Sequence, residues 1–358
     1  MQRDLFHHYH NRSMAHLTSF TVENFKRFEH FEMQNIGQFN LIVGDNNVGK
    51  TSVLEALLVD ENSDIVQARF LKVLTEFRNL QKITEPYWHF FINRATLLTE
   101  RLPTKFTLGQ TEGTTIIATG PIESGYKWFV NGEHTNVLSL ENTVKMKYNG
   151  VFRYDGTNSV HVPLVPFAQA YSNVLANIYS AYFQRDEGKD AELMKTLAIM
   201  IPQIKKIDVD NATSTDAVLY IGQHGQRSTM PLAMMGDGTI RLVRIAFELE
   251  LHKGKRLMID EIDAGLHFSH LRNFWRKIIL GATLNDIQIF ATSHNWECLE
   301  VFKEVLEEPE MLAFQDKARC FTLIDSPVTK RVEAVCSTFE QFETAIENGT
   351  ELRGGAVV

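Results

Sequence analysis

The 358-residue sequence holds only three cysteines, Cys298, Cys320 and Cys336, an odd number with no CxxC spacing. Neither a disulfide framework nor a cysteine zinc site fits that pattern, which leaves small buried hydrophobes in a reducing compartment as the expectation. No apolar run approaches the roughly 20 residues a membrane-spanning helix needs, so no membrane partner is expected. The opening MQRDLFHHYHNRSMAHL is polar and lacks a signal peptide's apolar centre, which makes a cytoplasmic protein the expectation. Residues 1–13 read as a flexible extension, where His7, His8 and His10 fit a solvated, fraying terminus better than a metal site. Excess positive charge is also missing: 36 Lys and Arg stand against 44 Asp and Glu, a formal net charge of -8. A surface that captures nucleic acid over its whole extent carries the opposite sign, so DNA would need a local basic patch or a partner. Low-complexity linkers, internal repeats and sustained heptads are absent too. With 44% hydrophobic and 22% charged residues, what remains is an ordinary globular composition.

Residues 17–43 read as strands, the last, FNLIV, ending at Gly44. TSVLEALL (51–58) has helical spacing, with Val53, Leu54, Leu57 and Leu58 apolar. Residues 61–100 read as mostly helical along a stripe of Ile65, Phe70, Leu71, Leu74 and Phe77. From 104 to 165, short alternating runs are broken by Gly109, Gly120, Asn131-Gly132 and Asn149-Gly150, which predicts an antiparallel β region. Helix returns from about 166 to 200, between Pro166 and Pro202, followed by short strands near 204–209 and 218–221. TIRLVRIAFELELH (239–252) reads as a nearly continuously apolar core helix. RLMID (256–260) and IQIFA (287–291) are of the type buried in a parallel sheet, with a helix carrying Leu271, Phe274, Trp275, Ile278 and Ile279 between them. A strand pair (ARCFTLID and KRVEAVCST) and a helix around Phe339–Glu347 close the chain.

GDNNVGKT matches the pattern G-x-x-x-x-G-K-[ST] at Gly44, Gly49, Lys50 and Thr51, between a strand and a helix. Gly44, Asn46, Asn47, Gly49 and Ser52 belong to a loop whose backbone N–H groups would approach phosphates. Lys50 would reach the β- and γ-phosphates of ATP, and the Thr51 hydroxyl would ligate Mg²⁺. The strand RLMI runs into Asp260-Glu261, a place where open α/β sheets bind ligands. Asp260 is the expected second Mg²⁺ partner, and Glu261 the group that orients or deprotonates the attacking water. Taken alone, such a strand end is as readily a solvated loop. IQIFA leads into Thr292-Ser293-His294, where His294 is suited to contact the γ-phosphate, with a capping or core histidine as the plainer reading.

The stretch VENFKRFEHF…FNLIVGDNNVGKTSVLEAL resembles the N-terminal half of the SMC/RecF/OLD-type ABC ATPase head. GDGTIRLVRIAFELELHKGKRLMIDEIDAGLHFSHLRNFWRKI…NDIQIFATSHNWECLEVF is similar to compact RecF-like ATPases of bacterial abortive-infection and anti-phage operons. The middle third resembles no named group. The resemblance implies an α/β P-loop NTPase with a central, mainly parallel sheet, an antiparallel β lobe and a helical lobe. It implies one bilobed ATPase domain over 14–358: an insertion and signature lobe at 61–235, a Walker B and switch half at 236–337, and a C-terminal helix and tail at 338–358. It places Lys50 and Thr51 in the P-loop role, Asp260 and Glu261 in Walker B, and His294 in the switch. Gly236, Asp237, Gly238 and Thr239 fall at the signature motif, before a helix, and Ala264-Gly265-Leu266-His267 at the D-loop. Gly236 stands where ABC proteins carry a signature serine. No clear Q-loop is present, Gln169 being a candidate by position, and Arg27 reads more readily as a surface arginine than as a phosphate or DNA contact.

The resemblance implies dimerisation around ATP, as a homodimer or higher homo-oligomer. The leading expectation is an ATPase switch, with Lys50, Glu261 and His294 as catalytic residues, that controls a separate nuclease or toxin effector in anti-phage defence. A separate effector is expected because residues 295–358 leave no room for the nuclease domain that OLD-type proteins carry there. The alternatives are a RecF- or SMC-like ATPase that clamps DNA, and a slow or non-catalytic ATP-dependent assembly module.

Overall fold

The computed structural model describes residues 16–60, 66, 69, 70, 72, 73, 83, 84, 104–111, 113–122, 125–134, 146–148, 151–153, 162–166, 172–210, 217–350 and 352. The chain opens with β1 (Leu17–Phe25) and β2 (Phe28–Gln34), paired Phe25↔Phe28 around the two-residue turn Lys26-Arg27. β3 (Phe39–Gly44) then enters the core and α1 (Lys50–Ala56) leaves it. Seven strands follow among the described residues: β4 (Ile83–Thr84), β5 (Thr104–Gln110), β6 (Gly113–Ile122), β7 (Gly125–Val130), β8 (Glu133–His134), β9 (Met146–Tyr148) and β10 (Val151–Arg153). β11 (Leu164–Val165) precedes α2 (Ser172–Tyr182) and α3 (Glu187–Met200), then β12 (Ile204–Asp210), β13 (Val218–Gln223) and β14 (Thr229–Pro231). The remainder mostly alternates: α4 (Asp237–Leu251), β15 (Arg256–Ile259), α5 (Phe268–Leu284), β16 (Gln288–Thr292), α6 (Trp296–Leu306), β17 (Ala318–Asp325), β18 (Val332–Thr338) and α7 (Phe339–Glu347).

The central sheet runs β11-β15-β16-β3-β17-β18, parallel throughout except for the β17–β18 pair. β3, β15 and β16 are buried along their whole length, as continuous apolar runs in a parallel sheet must be. Their period-2 alternation divides the interior in two. Leu41, Val43, Leu257, Ile259, Ile289 and Ala291 face one core, shared with Phe247, Trp275, Ile278 and Phe302 of α4, α5 and α6. Ile42, Met258 and Phe290 face the other, with Val53 and Leu54 of α1 and the phenylalanines of β1, β2 and β5. Phe25 packs edge-on against Phe106, and Phe28 stacks on Phe31. Truncating one of these rings would cost about 3–5 kcal/mol.

A second six-stranded sheet has the order β2-β1-β5-β6-β7-β8 and is antiparallel. The predicted β region is therefore not separate, because β5 pairs with β1 and draws the N-terminal hairpin into the same sheet. Left alone, β1 would present an unpaired edge toward β5, a liability that pairing removes. Asn131 and Gly132, both at positive φ, make the predicted two-residue turn between β7 and β8. The Asn149-Gly150 turn lies outside the described residues, although β9 and β10 pair as a hairpin around it. β12, β13 and β14 form a third antiparallel sheet.

Three expectations change. The helical stretch from 166 to 200 is two helices, because the Asp186 carboxylate accepts the Gly188 and Lys189 N–H groups and starts α3 afresh. Ile83–Thr84, read as part of a helical stretch, is a short strand on β10, where pairing overrides local propensity. Gly236–Thr239 does not precede α4 but begins it: Gly236 is the N-cap, and Asp237 lies in the first turn where the helix dipole favours it. Residues 1–13 with their three histidines, most of 61–100, and Gln169 lie outside the described residues. Among the described residues no helix is long and apolar enough to cross a membrane.

Candidate functional site

The site forms where three parallel strands end together. β3 stops at Gly44, whose φ of +150 and whose Cβ position, 2.8 Å from the Leu323 carbonyl, leave no room for a side chain. The loop turns through Asn47 at φ +63 and Gly49 at φ +114 before α1 begins at Lys50. A Cβ on Gly49 would meet the Phe28 ring at 3.0 Å and Arg27 at 3.2 Å, so the β1–β2 turn lies against the loop. Arg27 donates to the Asn47 carbonyl and pairs with Asp325 at the end of β17. It is the surface arginine expected from the sequence, and it also braces the loop. Lys26 pairs with Glu55 of α1 and fastens the same turn from the other side. Asp45, Asn46 and Asn47 are exposed on the loop, and Thr51 and Ser52 are half-buried.

Lys50 is buried and donates to the carbonyls of Gly44 at 2.7 Å and Asp45 at 2.9 Å. Burial lowers its pKa below the ordinary lysine value, against the opposing pull of Glu261, Asp260 and Asp45. The Thr51 hydroxyl lies 3.2 and 3.1 Å from the two Asp260 oxygens. β15 and β16 are in register Ile259↔Ala291, which sets Asp260 beside Thr292. Thr292 donates its hydroxyl to Asp260 at 2.7 Å and accepts the Glu261 N–H at 2.8 Å. His294 Nδ1 is 3.7 Å from Glu261 Oε1. Ser293 donates to Asp263 at 2.8 Å and holds the next turn.

The structure therefore gathers Lys50, Thr51, Asp260, Glu261 and His294 at one sheet edge. Gly236–Thr239 stands apart: among the described residues no hydrogen bond joins it to the P-loop. Its link to the site is Arg241, one turn into α4, which donates to the carbonyls of Ala264, Asp260 and Glu261. Gly238 packs closely on the D-loop segment, a Cβ there lying 2.9 Å from Leu266. Sequence reasoning gave no role to Thr292 or Arg241. A charged residue inside a nearly all-apolar helix was the available signal for Arg241, and a hydroxyl at a strand end the weaker one for Thr292.

The donor set fits a nucleoside triphosphate with Mg²⁺. A hydroxyl and a carboxylate, both hard oxygen donors, meet at Thr51 and Asp260. A lysine satisfied only by carbonyls of its own loop retains an ammonium suited to phosphate oxygens. Cradle positions closed to any Cβ keep the backbone accessible.

Residues 16–218 match the family model of the AAA ATPase domain. The chain is 25% identical over 354 residues to a Helicobacter pylori protein named ATP/GTP phosphatase, covering 88% of this chain and 95% of that one. A stretch of 65 residues is 32% identical to an uncharacterised protein of Methanocaldococcus jannaschii, covering 18% of this chain and 30% of the other. Among solved structures, an Smc head bound to the C-winged helix domain of ScpA aligns with a TM-score of 0.51 at 13% identity, covering 92% of this chain and 99% of that chain. A Pyrococcus furiosus Smc head domain with an extended coiled coil aligns at 0.50 and 13% identity, covering 94% and 99%. At that identity the likeness concerns the fold: an SMC-head P-loop fold, with a mainly parallel sheet and further antiparallel sheets.

Proposed function

This chain belongs to the AAA ATPase domain family, and from that premise we propose that it is an SMC/RecF-like head that hydrolyses ATP with Mg²⁺ at the site above. The observation that carries the reading is the convergence of Lys50, Thr51, Asp260, Glu261 and His294 on one sheet edge. The loop N–H groups and Lys50 hold the triphosphate, and Thr51 and Asp260 hold the metal, which when bound neutralises developing phosphate charge. Glu261 takes a proton from the attacking water, and His294 beside it senses the terminal phosphate. The H. pylori relative's name supports turnover of a nucleoside triphosphate and leaves open both ATP and GTP.

The second half of the proposal is a sandwich of two copies. Each α4 N-terminus, Gly236 to Thr239, faces the nucleotide held by the other copy's P-loop. Gly236 caps α4 without a side-chain hydrogen bond, and a Cβ there would meet nothing within 4 Å. Hydrolysis then opens the pair and switches a separate effector, a nuclease or toxin, in the cytoplasm; the defence role rests on the resemblance to ATPases of abortive-infection operons. The net charge of -8 favours this over a head that clamps DNA by itself.

Glu261→Gln tests the core of the reading, with phosphate release and sedimentation in ATP as the two measurements. Expected is a loss of turnover of about 100-fold or more, the scale for removing a general base, with nucleotide binding kept and a dimer trapped in ATP. Phosphate release no faster in the wild type than in Glu261→Gln would remove Glu261 as the base and leave the slow or non-catalytic assembly module.

A further inference from the structure

Arg241 is 5% exposed and spends its guanidinium on backbone oxygens of another segment. Nη1 donates to Ala264 O at 2.8 Å, and Nη2 donates to Asp260 O at 2.8 Å and Glu261 O at 2.7 Å. The residues so held are the metal-side aspartate, the glutamate after it and the start of the D-loop segment. Glu261 has a φ of +44. For a non-glycine residue that conformation is strained and persists only where the surroundings fix it. Two contacts fix it here: Thr292 accepts the Glu261 N–H at 2.8 Å, and Arg241 takes its carbonyl. Held at both backbone ends, Glu261 brings its carboxylate to 3.7 Å from His294.

We propose that Arg241 is a positioning residue for hydrolysis: it locks the Asp260–Ala264 backbone so that the Glu261 carboxylate is aimed at the attacking water. The proposal rests on the reading of Glu261 as the base. The geometry requires arginine. One planar fork reaches three carbonyls, whereas a lysine is a point donor on a flexible stem and cannot hold all three at once. Because α4 starts only five residues earlier, at its Gly236 cap, the same guanidinium carries any displacement of that helix end into Glu261. A misplacement of about 1 Å in a catalytic group is worth about 100-fold in rate.

The test compares Arg241→Lys and Arg241→Gln with Glu261→Gln and with the double variant Arg241→Lys/Glu261→Gln, all in the full chain. kcat, KM, affinity for a non-hydrolysable ATP analogue and thermal unfolding are measured for each. Arg241→Gln is expected to lose about 100-fold in kcat and Arg241→Lys about 10-fold, with KM and analogue affinity within about 3-fold of wild type. Arg241→Lys is expected to cost nothing further in the Glu261→Gln background, since a residue acting through Glu261 has no route left once the carboxylate is gone. A purely structural arginine gives additive losses and a matching fall in affinity, and that result overturns the proposal. So does wild-type kcat in Arg241→Lys, or failure of both single variants to fold. If Glu261→Gln keeps full turnover, the base reading fails. If Glu261→Gln is inactive while Arg241→Lys and Arg241→Gln keep wild-type kcat, only the positioning role fails.

Discussion

The two ends of the proposed nucleotide site, the P-loop and the α4 N-terminus, are finished to different degrees. At the P-loop end the groups are held within the chain: Lys50 by two carbonyls, the Asp260 carboxylate by two hydroxyls, and the Glu261 backbone by Thr292 and Arg241. Near the α4 end an apolar side chain stands in water, Met234 being 76% exposed, and Phe268 at the start of α5 is 62% exposed. Full burial of either is worth about 1.5–3 kcal/mol. On the proposed reading the finished end binds a triphosphate by itself. The bare α4 end combines a helix N-terminus with exposed apolar side chains, which under the proposed sandwich is the surface that a second copy would complete. The proposed division is of binding at the first end from turnover, which needs both.

The largest effect should come from the finished end. Lys50→Ala removes the buried ammonium and is expected to weaken ATP binding by at least about 100-fold, since a charged hydrogen bond is worth about 1.5–3 kcal/mol and more than one is lost. Equilibrium titration with a fluorescent ATP analogue measures it. The pH dependence has a defined sign. Burial lowers the Lys50 pKa, so the ammonium of the free protein is lost as pH rises through a value below 10.5. Affinity should therefore start to fall on the alkaline side earlier than for an ordinary lysine, and the fall should be absent in Lys50→Ala.

A smaller and more selective effect is expected at the bare end. Met234→Asp places a charge on the exposed rim beside Gly236 without touching the P-loop. Analogue binding by the monomer should stay within about 3-fold, while ATP-dependent self-association and turnover fall together by 10-fold or more, because a charge buried unpaired between two copies is strongly unfavourable. Wild-type association by sedimentation would show that the two ends are not halves of one site, and that any self-association runs through a surface other than this helix end.

How much of this could be read from residues alone follows from where each interaction lives. The placement of Lys50, Asp260, Glu261 and His294 at strand ends was legible because each follows a short, buried, largely apolar strand. α7 was also legible, at Phe339–Glu347 as expected, from its apolar spacing. What stayed hidden crosses between elements. Thr292 meets Asp260 only because β15 and β16 register Ile259 with Ala291. Arg241 reaches carbonyls 19 to 23 residues away through the packing of α4 on a loop. Alternation identified β1 and β5 as strands but carries no information about their partners, so the shared six-stranded sheet had no signature in either segment. The β1–β2 turn was likewise read as sequence context for the motif, and its Arg27 proved to brace the loop itself.

The smallest perturbation sharpens the comparison without disabling either end. Cys298, behind the switch, and Cys320, in β17, are fully buried, and burial pushes both thiols up to about 12. Half-buried Cys336 is also raised, by the same cause. At pH 8 a thiol of that kind holds a thiolate fraction on the order of one in 10,000, so native Cys298 and Cys320 should react with a soluble maleimide at least about 1,000-fold slower than an exposed cysteine. Met234→Cys supplies that exposed thiol at the bare end. It should label rapidly without nucleotide and become protected in ATP, in a Glu261→Gln background that holds the closed pair, while Cys298 stays unreactive in both conditions. Protection at Met234→Cys with no change at Cys298 places the ATP-dependent event at the surface of the unfinished end. Equal labelling with and without ATP would leave that end bare in every state, and the division of labour between the two ends would have to be abandoned.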